Sequence, residues 1–145
     1  MWGLTHNLDG TDRQLTMNFT QIKETCLYFN DLEKAKDFYS GKLDLPIIGY
    51  VREKHIFFRV GSSVLLCFNP DDSRQKKSPP GHSGSGKYHL AFEVKREEYA
   101  VYKDKIRELG IPIIDTVIWE TGQESFYFED PGGHVLEIVP EGIWK

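Results

Sequence analysis

Apolar and polar residues alternate from Gln21 to Phe29, the period of a half-buried strand. Asn30-Asp31 then offers an N-cap with Glu33 in the first turn, and Leu32, Ala35, Tyr39 and Leu43 recur at i, i+3, i+7 and i+11, one face of a helix. Three short strand patterns follow at Ile47 to Arg52, His55 to Val60 and Ser63 to Phe68. The same order returns further along. Tyr88 to Val94 reads as a strand, and Tyr99, Tyr102, Ile106 and Leu109 mark a helical face that stops at Gly110, a residue suited to the left-handed C′ position. Strand patterns at Ile113 to Trp119, Ser125 to Phe128 and His134 to Val139 complete it.

Each half therefore reads βαβββ. Leu43-Asp44-Leu45-Pro46-Ile47-Ile48 and Leu109-Gly110-Ile111-Pro112-Ile113-Ile114 differ at only two positions and each closes its helix, so sequence and element order both indicate an internal repeat. The expected fold is α+β, two βαβββ modules in one integrated domain. The first module is expected over 19–70, a flexible linker loop over 71–86 and the second module over 87–145. The linker contains Ser-Pro-Pro-Gly-His-Ser-Gly-Ser-Gly and lacks a periodic apolar signal. Residues 1–18 show no period and read as a poorly ordered N-terminal extension.

At 145 residues, 39% of them hydrophobic, such a domain buries roughly two thirds of its unfolded surface and needs no disulfide or structural metal to fold. No run of 18 apolar residues is present, so a membrane partner is not expected, and the opening decapeptide lacks the pattern of a secretory signal. Net charge is 18 − 22 = −4, and the densest basic stretch, Arg74 to Lys77, falls in the linker, which argues against nucleic acid. Cys26 and Cys67 sit inside apolar runs and read as reduced thiols of a cytoplasmic protein.

Strand alternation places the polar residues that carry chemistry. Thr25, Leu27 and Phe29 share one face of the first strand, and Glu24, Cys26 and Tyr28 the other. Leu90, Phe92 and Val94 form an apolar face for a covering helix, leaving His89, Ala91 and Glu93 on the opposite side. Glu137 stands between Val135 and Val139, where an unpaired carboxylate is costly, so it needs a partner or a metal. Glu24, His89 and Glu137 thus project from the non-helix faces, a donor set suited to a divalent Mn, Fe, Ni or Zn ion or else to a hydrogen-bonded cluster. Cys26, Tyr28, Tyr50, Phe57 and Trp119 are candidate substrate-contacting residues. His134, in the Pro-Gly-Gly-His turn, reads as structural.

Three stretches resemble the vicinal oxygen chelate superfamily, which includes glyoxalase I, extradiol dioxygenases, fosfomycin-resistance thiol transferases and metal-free bleomycin-binding proteins. They are Asp31-Leu32-Glu33-Lys34-Ala35 through Phe38-Tyr39, Tyr88 to Val94, and Phe126 to Glu137 with its Asp130-Pro131-Gly132-Gly133-His134 turn. The resemblance implies curved mixed sheets around a cleft, one divalent metal ion held by Glu24, His89 and Glu137, and a homodimer. It implies Lewis-acid chemistry on a small oxygen-bearing substrate (lyase, isomerase, thiol transferase or dioxygenase), in which Glu24 could leave the ion and act as catalytic base. The alternative within the same family is a metal-free module that sequesters a drug or metabolite. Two departures narrow the match. The stretch Ser62 to Asn69 has no carboxylate or histidine to serve as the fourth ligand of glyoxalase I, and the few residues after Pro140 lack the basic set that holds a phosphonate.

Overall fold

A computed structural model of the chain describes residues 2–6 and 12–144. Strands β3 (Glu24–Tyr28), β4 (Ile47–Val51), β5 (His55–Val60) and β6 (Ser63–Phe68) form one mixed sheet in the order β3-β6-β5-β4. Strands β7 (His89–Val94), β8 (Asp115–Ile118), β9 (Glu124–Glu129) and β10 (Val135–Pro140) form a second in the order β7-β10-β9-β8. The two orders are the same. In each sheet the module's first strand runs parallel to its last, and the other pairings are antiparallel. The α+β architecture of two βαβββ modules is therefore present.

The helices begin where the caps predict. Asp31 accepts a hydrogen bond from the Glu33 backbone N–H at 3.0 Å and opens α1 (Leu32–Ala35), which continues as a wider π-helical stretch over Lys36–Lys42. There the Leu43 N–H bonds to the Phe38 carbonyl, an i+5 closure, and Phe38 is buried beside Tyr39. In the second module a 3₁₀ turn (Arg96–Glu98) leads into a helix at Tyr99–Glu108. Gly110 takes φ +75°, its N–H bonds to the Arg107 carbonyl, and the Ile111 N–H bonds to that of Ile106, closing the helix by a Schellman motif. Asp44, at the same place in the first hexapeptide, takes φ +61°.

One core serves both modules. Leu27, Phe29, Leu32, Tyr39, Ile56, Phe58 and Leu65 of the first pack in the same buried cluster as Ile106, Phe126, Phe128, Leu136 and Ile138 of the second. The alternate residues of each strand therefore face away from this shared core.

Two segments differ from the sequence reading. Within the extension expected at 1–18, β1 (Trp2–His6) and β2 (Asp12–Thr16) pair antiparallel as a separate two-stranded sheet. Its other residues 1 and 7–11, and residue 145 of the second module, lie outside the described residues. The linker read at 71–86 opens on a helical turn, α2 (Pro70–Ser73), capped by Asn69 accepting from the Asp71 N–H. The buried Ser73 hydroxyl donates to the His82 carbonyl at 2.6 Å and the His82 N–H donates to the Ser73 carbonyl, so local hydrogen bonds fold the segment back on itself. No helix of the described residues is long and apolar enough to cross a membrane.

Candidate metal centre

Pairing register shows how the repeat arranges the outward faces. In the first sheet Glu24 lies opposite Val64, which lies opposite Arg59; Cys26, Leu66 and Phe57 form the next row. In the second sheet His89 lies opposite Val135 and Glu129, and Ala91, Glu137 and Tyr127 form the next row. Glu24 and His89 thus occupy corresponding places, and so do Leu66 and Glu137. Of the three ligands expected from the sequence, the second sheet presents two and the first presents one.

His89 and Glu137 meet. The imidazole Nε2 lies 3.2 Å from Glu137 Oε1, while Nδ1 lies 2.9 Å from the Val135 carbonyl oxygen. A carbonyl only accepts, so Nδ1 carries a proton, and a His89 with one proton turns a bare Nε2 towards the carboxylate. The other carboxylate oxygen, Oε2, accepts from the Ser125 hydroxyl at 2.6 Å. Ser125 itself accepts from the Trp119 indole N–H at 2.9 Å, and because that N–H only donates, the hydroxyl proton points to Glu137. Glu137 is buried, Ser125 fully so, and the His89 side chain is about half exposed. Beside them burial pushes the Tyr127 phenol up, and the neighbouring Glu137 carboxylate adds to the shift.

Two acceptors facing each other across 3.2 Å require a positive charge between them, supplied by a second imidazole proton or by a metal ion. The donor set suits an ion: an imidazole nitrogen backed by a carbonyl and a carboxylate backed by a hydroxyl are ordinary metal ligands with their supporting bonds. The separation also fits, since ligands about 2.1 Å from one ion and about 100° apart lie roughly this far from each other.

Glu24 is not brought to this pair within the chain; no group of three or more His, Cys, Asp or Glu side chains suited to a metal occurs among the described residues. It sits exposed at the start of β3, in the other sheet. Cys26 lies half-buried on the same face, its thiol pushed up by burial and by the Glu24 charge. Phe57 shares that face, stacked on His55 with ring centres 4.2 Å apart. Tyr28 closes the row beyond Cys26, its hydroxyl 2.6 Å from His82 Nδ1. Tyr50 points elsewhere: opposite Ile56 in the register, it bonds to Glu33 and lies under Lys36, on the helix side of the sheet. Trp119 alone of the five touches the His89–Glu137 cluster, through Ser125. Sequence reading missed Ser125 and Tyr127, although period-2 alternation back from Glu129 sets both on one face. His134 is 2% exposed, precedes β10 and bonds to Asp130, outside the His89–Glu137 cluster.

Several known proteins are similar to this chain. Glutathione transferase FosA of Serratia marcescens is 28% identical over 81% of this chain and 78% of its own length. Metallothiol transferase FosB of Shouchella clausii is 26% identical over 81% and 77%. Among solved structures, lactoylglutathione lyase from Agrobacterium tumefaciens superposes with a TM-score of 0.82 and 29% identity, over 88% of this chain and 98% of that one. A fosfomycin resistance protein FosX variant from Listeria monocytogenes, complexed with Mn(II) and 1S,2S-dihydroxypropylphosphonic acid, shares the fold with a TM-score of 0.62 at 23% identity, over 84% and 90%. The first three of these are by name two thiol transferases and a lyase. Residues 21–138 match the Glyoxalase/Bleomycin resistance protein/Dioxygenase superfamily, and the chain belongs to it.

Proposed function

We propose that the protein is a divalent-metal-dependent enzyme that adds a low-molecular-weight thiol to a small oxygen-bearing substrate, or rearranges such an adduct. The observation that carries this reading is the pair of facing acceptors, His89 Nε2 and Glu137 Oε1, each held from behind by its own hydrogen bond. The relatives' names supply the substrate class, since glutathione transferase, metallothiol transferase and lactoylglutathione lyase all handle thiols or their adducts.

His89 and Glu137 would hold the ion, and Glu24 of a second copy would complete the set. A homodimer supports this arrangement because the faces bearing these residues turn away from the shared core of their own chain. When bound, the ion supplies Lewis-acid stabilisation of an oxyanion that develops on the substrate. The protein's own part is orientation: Val135 and Ser125 fix the two ligand side chains, and Trp119 fixes Ser125. Glu24, exposed and in a flanking position, is the group to take up a substrate proton. The row Cys26, Leu66, Phe57 gives the opposing wall an apolar surface, and the raised Cys26 thiol stays protonated there at neutral pH.

The metal-free sequestration alternative would leave His89 and Glu137 as an imidazolium–carboxylate pair, and the relatives named above are enzymes rather than sequestering modules. The test is turnover by protein loaded separately with Mn, Fe, Ni and Zn, assayed for S-lactoylglutathione formation and for glutathione-dependent loss of fosfomycin. The reading expects thiol-dependent turnover of at least one of the two substrates with at least one ion. Tight drug binding without turnover by any loaded form would overturn it.

A further inference from the structure

A second polar site lies where the two modules and the linker meet. A cavity of about 400 Å³ is walled by the start of α1, by Gly84 to Gly86 of the linker and by the Pro131-Gly132 turn, and His134 lines it. His134 is almost fully buried, its ring stacked on Tyr88 at 5.9 Å and edge-on to Phe29 at 5.0 Å. Its Nδ1 lies 2.8 Å from Asp130 Oδ2. Asp130 also accepts from the Tyr39 hydroxyl and from the backbone N–H groups of Gly132 and His134, so it receives only donors. Nδ1 of His134 therefore carries a proton, and Nε2 has no hydrogen-bond partner among the described residues.

We infer that this cavity binds a small phosphate-class anion, inorganic phosphate or a phosphomonoester, through His134 Nε2, Lys34 and Arg74. Nε2 pairs with one phosphate oxygen, accepting from a P–OH of the monoanion or donating to the dianion when protonated, while the remaining oxygens meet the two cationic side chains that line the same space. The lining carries two cationic side chains and one carboxylate. Lys34 makes no salt bridge among the described residues, Arg74 donates through Nε to the Pro70 carbonyl at 3.1 Å and lies 3.4 Å from the exposed Asp71, and the one carboxylate in the lining, Asp31, accepts from the Glu33 N–H. Two glycines keep the space open. A Cβ at Gly132 would strike His134 and Phe29 at 2.8 Å, and one at Gly84 would overlap the Tyr88 hydroxyl, so backbone rather than side chain forms these walls. This site is independent of the metal centre and does not rest on the proposed activity.

The test is a titration of the full-length protein with inorganic phosphate at fixed pH and ionic strength, following the imidazole nitrogens of all histidines by NMR and affinity by calorimetry. The inference predicts that His134 Nε2 shifts with saturation. Lys34→Ala and Arg74→Ala, both exposed positions, should each weaken binding about tenfold with the thermal midpoint unchanged. A perturbation confined to His89 would place the anion at the metal centre and overturn the inference. So would an unmoved His134, or an affinity unaffected by both substitutions.

Discussion

At the scale of single residues, the proposed metal centre depends on atoms that touch no metal. Ser125 is the only hydrogen-bond donor described on Glu137 Oε2, and it is itself aimed by Trp119. Ser125→Ala should therefore preserve the fold yet lower metal affinity about 10–100-fold, read by competition with a chelating indicator. Unchanged affinity would show that Glu137 is oriented by packing alone. A second residue-scale comparison concerns the repeat. Gly110 and Asp44 both adopt positive φ, +75° and +61°, at the same place in their hexapeptides. Gly110→Ala should cost about 1 kcal/mol in urea unfolding, while Asp44→Gly should be neutral or stabilising by up to about 0.5 kcal/mol. Equal losses in the two variants would remove left-handed strain as the explanation.

At the scale of elements, the helix of the second module is clamped to its sheet by Glu124, which accepts from Tyr99 at 2.8 Å and from Lys103 at 2.6 Å. The Lys103 bond holds the Glu124 carboxyl below the usual carboxylate range against the opposing effect of burial, while burial first and then the bond to Glu124 push the Tyr99 phenol up. A carboxylate depressed by folding stabilises at pH above its unfolded pKa and loses that contribution as pH falls through the folded one. Lys103→Met should thus cost about 0.5–1 kcal/mol at pH 7, a penalty that fades below about pH 4 in denaturant titrations. A penalty constant over that range would assign it to packing.

Much at this scale was legible because caps and alternation are local. The Asp31 N-cap, the Gly110 stop and the bounds of His55–Val60 and Ser63–Phe68 all appear as read. The π-helical stretch was not, since Leu32, Ala35, Tyr39 and Leu43 fit an α-helical stripe, and the wider turn shows only once Phe38 is also seen to be buried. Nor was the fold of the linker: Ser/Pro/Gly composition suggests freedom, whereas the Ser73–His82 bonds are pairwise contacts that composition does not report.

At the scale of the whole molecule, the sequence showed which faces carry Glu24, His89 and Glu137 but not which faces meet. Period-2 alternation fixes a side, whereas the meeting of His89 with Glu137 depends on β7 pairing with β10 across more than forty residues. Glu24 lies on the corresponding sheet of the other module, so the account needs a second copy. Mixing Glu24→Ala and Glu137→Ala chains tests this. If sites form between copies, random pairing restores an intact ligand set at about one site in four, with metal-dependent activity to match. If each site lies within one chain, no mixture recovers it.

The most direct measurement is the metal content of protein purified without chelator, compared with His89→Ala and Glu137→Ala. The account predicts about one divalent ion per chain in the unaltered protein and a loss of it in both variants, with secondary structure retained. Protein that holds no stoichiometric ion, even after reconstitution with Mn, Fe, Ni or Zn, would contradict it.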